Sequence, residues 1–157
     1  MIVRKMENEE YTTIADVIDP SIRSFTDTKV RSYTTYTYQV LAVNCAGKKP
    51  SRTIDVTTPQ TIPAPPFGLS ATAISFKRIR LTWIDNSHNE TGFRLKRNDL
   101  VDPITTSGAN ITEYVDMYEL QPETTYTYTI CSYNEMGDSP DSARPSATTL
   151  GSDLPPD

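Results

Sequence analysis

The chain has 157 residues, which is enough for one or two domains, and its 15 basic and 20 acidic side chains give a net charge of −5. The basic residues form no stripe, so we expect no nucleic-acid binding, and no apolar run is long enough to predict membrane insertion. The abundance of Tyr and Thr and the 12 prolines favour strands and turns over helices.

The amino-terminal stretch predicts no signal peptide. Its first residues, MIVRKMENEE, contain no apolar run of signal-peptide length. Either the chain is not secreted as it stands, or its true start lies upstream of Met1. Residues 10–18 come nearest to a helical pattern, but their β-branched content favours a strand followed by a loop.

Two stretches of the chain are nearly the same. Thr34–Gly47 reads TTYTYQVLAVNCAG, and 90 residues later Thr124–Gly137 reads TTYTYTICSYNEMG, with 7 of 14 positions identical. The same alignment sets Asp27 over Asp116 and brings residues 2–7 near residues 94–99. The repeat therefore predicts two copies of one module.

Prolines mark the predicted boundaries. Residues 57–66 read TTPQTIPAPP, which is typical of a semi-rigid linker, and the chain closes in a similar style. We assign residues 1–58 to a first module, 59–66 to a linker, 67–150 to a complete second module and 151–157 to a linker toward a possible further module.

The first copy begins where the second copy has its third strand. It lacks counterparts of the first two strands and of Trp83, so the sequence predicts an amino-terminally truncated module. We expect Val40, Val43 and Ile54 to be exposed in it. A module that lacks part of its core is marginal, so we expect it to be less stable than the second and to dimerise or need an upstream segment.

Alternation in the second copy predicts half-buried strands. The stretch RIRLTWID places Leu81 and Trp83 on one face, TGFRLKR places Phe93 and Leu95 inward, and TTYTYTICSYN places Tyr126, Tyr128, Ile130 and Ser132 together. Short strands separated by turn signals are typical of an all-β sandwich.

The positions that carry a family resemblance are Pro66, Trp83, Leu120, Pro122, Thr124, Tyr126, Asn134 and Gly137. They resemble the fibronectin type III pattern of an early Pro, a Trp in the second strand, Leu-x-Pro-x-Thr-x-Tyr and an Asn-x-x-Gly turn. The first copy keeps Val30, Thr34, Tyr36, Asn44 and Gly47 but has Ser32 in place of the Pro. The stretch LTWIDNSHNETGF is similar to modules of secreted prokaryotic multidomain proteins.

The resemblance implies an immunoglobulin-like Greek-key β-sandwich with an extracellular or cell-surface location. It implies a non-enzymatic spacer and interaction module of a larger protein, with a protein or a glycan as a possible partner. Two alternatives remain open at this point. One is a specific adhesion module that binds protein or glycan, and the other is an accessory domain of a secreted carbohydrate-active enzyme.

The expected structural core contains residues from both copies. Trp83 should lie between two sheets, and Tyr36 and Tyr126 should each form a tyrosine corner, in which the ring packs at the core edge and the hydroxyl bonds upstream backbone. The full set of core positions is Trp83, Leu81, Phe93, Leu120, Tyr126, Tyr36 and Ile130.

The candidate binding loops are Asn44–Ser51, with Lys48 and Lys49, and Asn134–Asp141, preceded by an exposed Tyr133 and containing Met136. We expect no catalytic, cofactor-binding or metal-binding residues. His88 has no cysteine near it in sequence, and Lys96 occupies the position at which a calcium loop would carry Glu. The two cysteines, Cys45 and Cys131, should be free thiols.

Overall fold

A computed structural model describes residues 1–16 and 18–152, and within them the chain forms strands and turns but no helix. It therefore contains, within those residues, no helix that could span a bilayer. The chain divides into two compact units, which we call unit 1, Met1–Thr61, and unit 2, beginning at Ile62.

Unit 2 is a sandwich of two antiparallel sheets. One sheet has the order β10-β7-β6, and the other has the order β12-β11-β8-β9, with β13 also paired to β11. The strands are β6 (Phe67–Ser75), β7 (Arg78–Ile84), β8 (Gly92–Arg97), β9 (Thr105–Gly108), β10 (Glu113–Asp116), β11 (Thr125–Asn134), β12 (Gly137–Asp138) and β13 (Ser146–Thr148). The predicted all-β sandwich is confirmed for this unit.

The core of unit 2 lies between the two sheets. Trp83 on β7 is 4% exposed and meets Phe93 on β8 edge to face, with 5.7 Å between ring centroids. Edge-to-face contact is a favoured arrangement of aromatic rings. The other expected core positions in this unit are also buried, namely Leu81, Leu120, Tyr126 and Ile130. Alternation places the five of these side chains that lie on strands in one cluster, and Leu120 joins it from the turn before β11.

Unit 1 consists of a single sheet with the strand order β2-β1-β3-β4, to which β5 adds by pairing with β3. Its strands are β1 (Ile2–Met6), β2 (Thr12–Ala15), β3 (Thr35–Asn44), β4 (Gly47–Pro50) and β5 (Ile54–Thr57). These correspond to β8, β9, β11, β12 and β13 of unit 2. The described residues of unit 1 contain no counterpart of the β6–β7 pair.

The β-sheet registers define how the two units correspond. Ile2 lies opposite Val40 in unit 1, and Leu95 lies opposite Ile130 in unit 2. Because Val40 and Ile130 are 90 positions apart in the repeat, Ile2 corresponds to Leu95 and Arg4 to Arg97. The offset is therefore 93 residues for β1 and β8, against 90 for β3 and β11.

Both units contain a tyrosine side chain that caps the turn before its own strand. Tyr36 is 2% exposed, and its hydroxyl oxygen accepts the backbone N–H of Arg31 at 2.8 Å. In unit 2 the hydroxyl of Tyr126 accepts the N–H of Gln121 at 2.9 Å. The geometry is the same although Ser32 stands where unit 2 has Pro122. The tyrosine therefore holds this corner in both units with or without the proline.

The carboxyl half of the predicted 59–66 linker packs on unit 2. Pro63 and Pro66 are buried, and the Ser132 hydroxyl donates to the carbonyl of Ala64 at 2.7 Å. This half of the stretch is therefore anchored to a sandwich rather than free to act as a spacer. Of the expected 151–157 linker, residues 153–157 lie outside the described residues.

Candidate binding surfaces

The two stretches expected to be binding loops are tight hairpins. Strands β3 and β4 pair from Leu41–Pro50 to Asn44–Gly47, which leaves only Cys45 and Ala46 as the turn. The Asn44 side-chain oxygen accepts the N–H of Ala46 at 2.9 Å, and Gly47 adopts a φ of 136°, which a side chain would disfavour. The expectation of an Asn44–Ser51 loop was therefore wrong, because strand pairing extends to the turn.

The matching hairpin of unit 2 is built the same way. Asn134 accepts the N–H of Met136 at 2.8 Å, and Gly137 has a φ of 132°. Strand β12 follows immediately, so the expected Asn134–Asp141 loop is wrong in its first half for the same reason. Its second half folds back on β11, where Ser139 donates its N–H to the carbonyl of Ser132.

Three of the four candidate contact residues are exposed on these hairpins. Lys48 and Lys49 lie on β4 and not at the tip, and both are exposed. Met136 lies in the turn of the unit 2 hairpin and is 58% exposed. An exposed methionine is adaptable and apolar, and exposed lysines are solvated charges. These hairpins can offer small contact surfaces but provide no enclosed site.

Tyr133 is the exception, because it is half-buried rather than exposed. The Arg94 guanidinium lies over its ring, with 4.0 Å from the guanidinium carbon to the ring centroid. Arg94 also forms an ion pair with Asp138, and next to it Lys96 donates to Asp141 at 3.1 Å. These charged side chains hold one another across the outer face of the β8–β11–β12 sheet.

The outer face also covers one of the two thiols. Cys131 points away from the core, yet it is fully buried beneath the ion pairs, and burial raises the pKa of its thiol. Cys45 is exposed at the tip of the unit 1 hairpin, and neither cysteine is in a disulfide. A protonated, buried thiol is a poor nucleophile, so Cys131 serves as a packing residue.

Hydrogen bonds between its own residues hold the loop around His88 in place. Asp85 accepts the N–H of Ser87 at 3.0 Å, and the Ser87 hydroxyl donates to Asn89 at 2.9 Å. The Asn134 amide donates to the carbonyl of Asn89 at 3.0 Å, which ties the loop to the hairpin. Within residues 1–16 and 18–152, no group of three His, Cys, Asp or Glu side chains is placed to hold a metal ion.

A polar cluster that the sequence did not predict occurs in both units, and it is buried in unit 2. In unit 2, Arg97 donates to Asp116 at 2.8 Å, and the Tyr128 hydroxyl donates to the same carboxylate at 2.8 Å. Asp116 also accepts the N–H of Tyr118, and Arg97 lies over the Tyr126 ring at 4.8 Å. All donors of the cluster converge on one carboxylate inside the sandwich.

Unit 1 repeats each of these contacts. Arg4 donates to Asp27 at 2.6 Å, the Tyr38 hydroxyl donates to the same carboxylate at 3.0 Å, and Lys29 donates its N–H to it at 3.0 Å. Arg4 lies over the Tyr36 ring at 4.7 Å. Burial opposes ionisation of Asp27, but these hydrogen bonds outweigh it and hold the pKa of Asp27 below its ordinary value.

The two clusters differ in how much water reaches them. The side chains of Arg97 and Asp116 are 1% and 0% exposed, whereas those of Arg4 and Asp27 are 18% and 12% exposed. Asp116 belongs to β10, which pairs with β7, but Asp27 follows a segment that belongs to no strand. The sheet that contains β7 and β10 therefore excludes water from the cluster of unit 2, whereas water reaches the cluster of unit 1.

The uncovered face of unit 1 forms an apolar groove of about 1000 Å³. Val40 on β3 and Val56 on β5 lie in it, and they are 54% and 46% exposed. Ile54, which pairs with Tyr38, is 63% exposed. Val43, near the hairpin end of β3, is 45% exposed and also borders the groove.

Comparison with known proteins identifies the module. The fibronectin type III domain profile matches residues 64–149, which is more than half of the chain. The chain belongs to the fibronectin type III family. The profile match covers the strands of unit 2 and all six of its expected core residues.

Two curated proteins are similar in sequence. The chain is 35% identical to mouse usherin over 117 residues, which is 71% of this chain and 2% of that protein. It is 32% identical to exoglucanase B of Cellulomonas fimi over 149 residues, which is 88% of this chain and 14% of that protein. The chain thus spans a small fraction of each relative.

Solved structures show the same fold. The FN1–FN3 domains of chicken CNTN1 match 96% of this chain and 56% of theirs, with a TM-score of 0.70 and 19% identity. Domains d3–d4 of the rat CD45 extracellular region match 90% of this chain and 78% of theirs, with a TM-score of 0.61 and 17% identity. At these identities the likeness concerns fold alone.

Proposed function

We propose that the chain is a non-enzymatic spacer and interaction region of a larger extracellular or cell-surface protein. The observation that carries the proposal is that the ionisable side chains buried inside unit 2 are bonded to one another. Arg97 and Tyr128 both donate hydrogen bonds to Asp116 inside the sandwich. These contacts stabilise the fold and leave none of the three side chains free to react with a substrate. Fibronectin type III membership and the far greater length of both curated relatives support a modular role.

A spacer must remain folded while its ends are pulled apart. The first strand of unit 2, β6, and its last strand, β13, lie near each other in the sandwich, so tension on the ends loads the hydrogen-bonded ladders of the whole unit. Single-molecule pulling on the full chain should give a discrete unfolding event for unit 2. Continuous extension without such an event would count against the spacer role.

The non-enzymatic part of the proposal has a separate test. The full chain is assayed against chromogenic glycosides and esters, with buffer alone as the blank. We expect no turnover above that of buffer. Turnover that a single side-chain substitution abolishes, while the fold persists by circular dichroism, would overturn the proposal.

A second candidate role is an accessory region of a secreted carbohydrate-active enzyme. The similarity to exoglucanase B covers 88% of this chain and so includes both units, which favours this candidate. A pull-down of the full chain on insoluble cellulose tests it directly. Retention that falls when Met136→Ser and Lys48→Ala are introduced would favour a glycan-binding role of the hairpins, and no retention would leave the spacer role.

A further inference from the structure

Two triplets of unit 2 match the acceptor motif for N-linked glycans, which is Asn-x-Ser/Thr with any residue but Pro in the middle. They are Asn89-Glu90-Thr91 and Asn110-Ile111-Thr112. The motif alone does not separate them, because it specifies residue types and not accessibility. In the folded unit the two asparagines lie in different surroundings.

The surroundings of Asn110 are open to solvent. It lies in the turn between β9 and β10, and all three residues of its triplet are exposed. Its side-chain amide forms no hydrogen bond with any residue that the structure describes. A Cβ atom added at Gly108, two residues earlier, would have no neighbouring atom within 4 Å. The turn therefore has room for a bulky group.

The backbone beside Asn110 is held without the use of its side chain. The carbonyl oxygen of Thr112 accepts the N–H of Trp83 at 3.0 Å, which fixes the turn to β7. Asn110 has a φ of 61°, a left-handed conformation that asparagine adopts more readily than most residues. This conformation accounts for an asparagine at the turn, but it places no demand on Thr112, whose hydroxyl completes the motif.

Asn89 is built into the fold instead. It is 9% exposed, and its side-chain oxygen accepts the Ser87 hydroxyl at 2.9 Å. Its carbonyl oxygen accepts the Asn134 amide at 3.0 Å. A sugar ring on the Asn89 amide would displace these contacts and separate the loop from the hairpin. We therefore expect that a chain glycosylated at Asn89 does not reach this fold.

We propose that Asn110 is the acceptor of an N-linked glycan and that Asn89 is not. The proposal rests on the proposed extracellular location, because this modification marks surface loops of secreted proteins. The donor is an oligosaccharide carried on a lipid pyrophosphate. The Asn110 amide nitrogen bonds to the anomeric carbon of the sugar and loses one of its two protons. The bond from that carbon to the pyrophosphate oxygen breaks, and the lipid pyrophosphate leaves.

The test uses the full chain, produced with a cleavable secretion signal in a eukaryotic host. The signal makes the result independent of where the native protein is found. Mass spectrometry of the intact chain and of its peptides is recorded before and after treatment with peptide N-glycosidase, which leaves Asp in place of each glycosylated Asn.

Four variants accompany the wild type. Thr112→Ala and Asn110→Asp each destroy the exposed triplet, and Asn110→Asp does so with a side chain that also tolerates the left-handed turn. Thr112→Ser keeps the triplet. Thr91→Ala is the matched control, because it deletes the other triplet at an exposed position without changing Asn89. Circular dichroism reports whether each variant is folded.

The expected result is a folded, secreted chain in which most molecules carry a single glycan on Asn110. Thr112→Ala and Asn110→Asp should lose it, whereas Thr112→Ser and Thr91→Ala should retain it. A folded wild-type chain without a glycan would overturn the proposal, and so would a folded chain that carries one on Asn89. A glycan that persists in Asn110→Asp would have the same consequence. The pulling and turnover experiments are unaffected by any of these results, so failure here is distinct from failure of the proposed function.

Discussion

Arg97 donates to Asp116 at 2.8 Å, and Arg4 donates to Asp27 at 2.6 Å in the matching position of the other unit. The two pairs have the same neighbours, a tyrosine hydroxyl and a backbone N–H on the carboxylate and a tyrosine ring beneath the guanidinium. They differ because a second sheet, with β6 and β7, covers the Arg97–Asp116 pair, whereas the described residues of unit 1 include no such sheet. Comparing the two ion pairs therefore shows how burial changes the contribution of one ionic contact to the stability of a unit.

Removing the carboxylate should destabilise the two units unequally. Asp116→Ala leaves a buried guanidinium with only Asp99 as an ionic partner, and we expect a loss of about 3–5 kcal/mol in the free energy of unfolding of unit 2. Asp27→Ala leaves Arg4 with access to water, and we expect about 1–2 kcal/mol in unit 1. Denaturant-dependent hydrogen exchange at β11 and β3 gives the two values, and equal losses would refute the argument.

The tyrosine corners should contribute through their hydroxyls. Tyr36→Phe and Tyr126→Phe each delete an acceptor for a turn N–H while keeping the buried ring, so each should cost about 1 kcal/mol in its own unit. Tyr33→Phe is the control, because that side chain is 62% exposed. The measurement is urea unfolding. A corner variant that is no less stable than the control would show that the hydroxyl contributes nothing.

Trp83 should be the largest apolar contributor in unit 2. Its indole is 4% exposed and contacts Phe93, so Trp83→Ala should cost about 3–5 kcal/mol. The comparison variant is Phe67→Ala on the neighbouring strand, where the ring is 50% exposed and about 1 kcal/mol or less is expected. If the two variants unfold at the same urea concentration, the core assignment is incorrect.

Unit 2 should lose stability in alkali. Burial and then the hydrogen bond to Asp116 raise the pKa of Tyr128 above its ordinary value of 10.0. The folded state therefore holds this proton more tightly than the unfolded state, so the contribution is complete below pH 10 and is lost as the pH rises through the raised pKa. Tyr128→Phe should flatten the fall in stability above pH 10.

Tyr114 provides the control for the alkaline experiment. Burial also raises the pKa values of Tyr114 and of the Cys131 thiol, so some alkaline loss should persist in Tyr128→Phe and become smaller in the Tyr114→Phe and Tyr128→Phe double variant. Stability is measured by urea unfolding at intervals between pH 8 and pH 11. An identical pH profile for the wild type and Tyr128→Phe would contradict this interpretation.

Alternation and turn signals were sufficient to predict the sandwich of unit 2 and the core residues on its strands, because period-two patterns report directly on which face of a strand is buried. Leu120, which lies in no strand, was expected in the core through the family resemblance. Alternation in β8 places Arg97 on the inward face with Phe93 and Leu95, but the charge of Arg97 argued against burial. A charged residue that ends a strand is expected to face water, and its inward position depends on a carboxylate 19 residues away. The alignment of Asp27 with Asp116 was visible in the sequence, but its arginine partner was not.

The arginine partner was hidden because the offset between the copies is not constant. It is 93 residues between Arg4 and Arg97, 90 between Tyr38 and Tyr128, and 89 between Asp27 and Asp116. Insertions in the turns account for the differences. The hairpins were misread as loops for a related reason, since Asn and Gly signal a turn but not where strand pairing resumes.

The most direct test of the account compares the two copies in one molecule. Native-state hydrogen exchange of the full chain, at a concentration where it is monomeric, is measured at Tyr36–Val40 and at Tyr126–Ile130. Because one strand lies under a second sheet and the other faces an open groove, we expect the unit 1 amides to exchange at least about 100-fold faster. Equal protection of the two strands would contradict it.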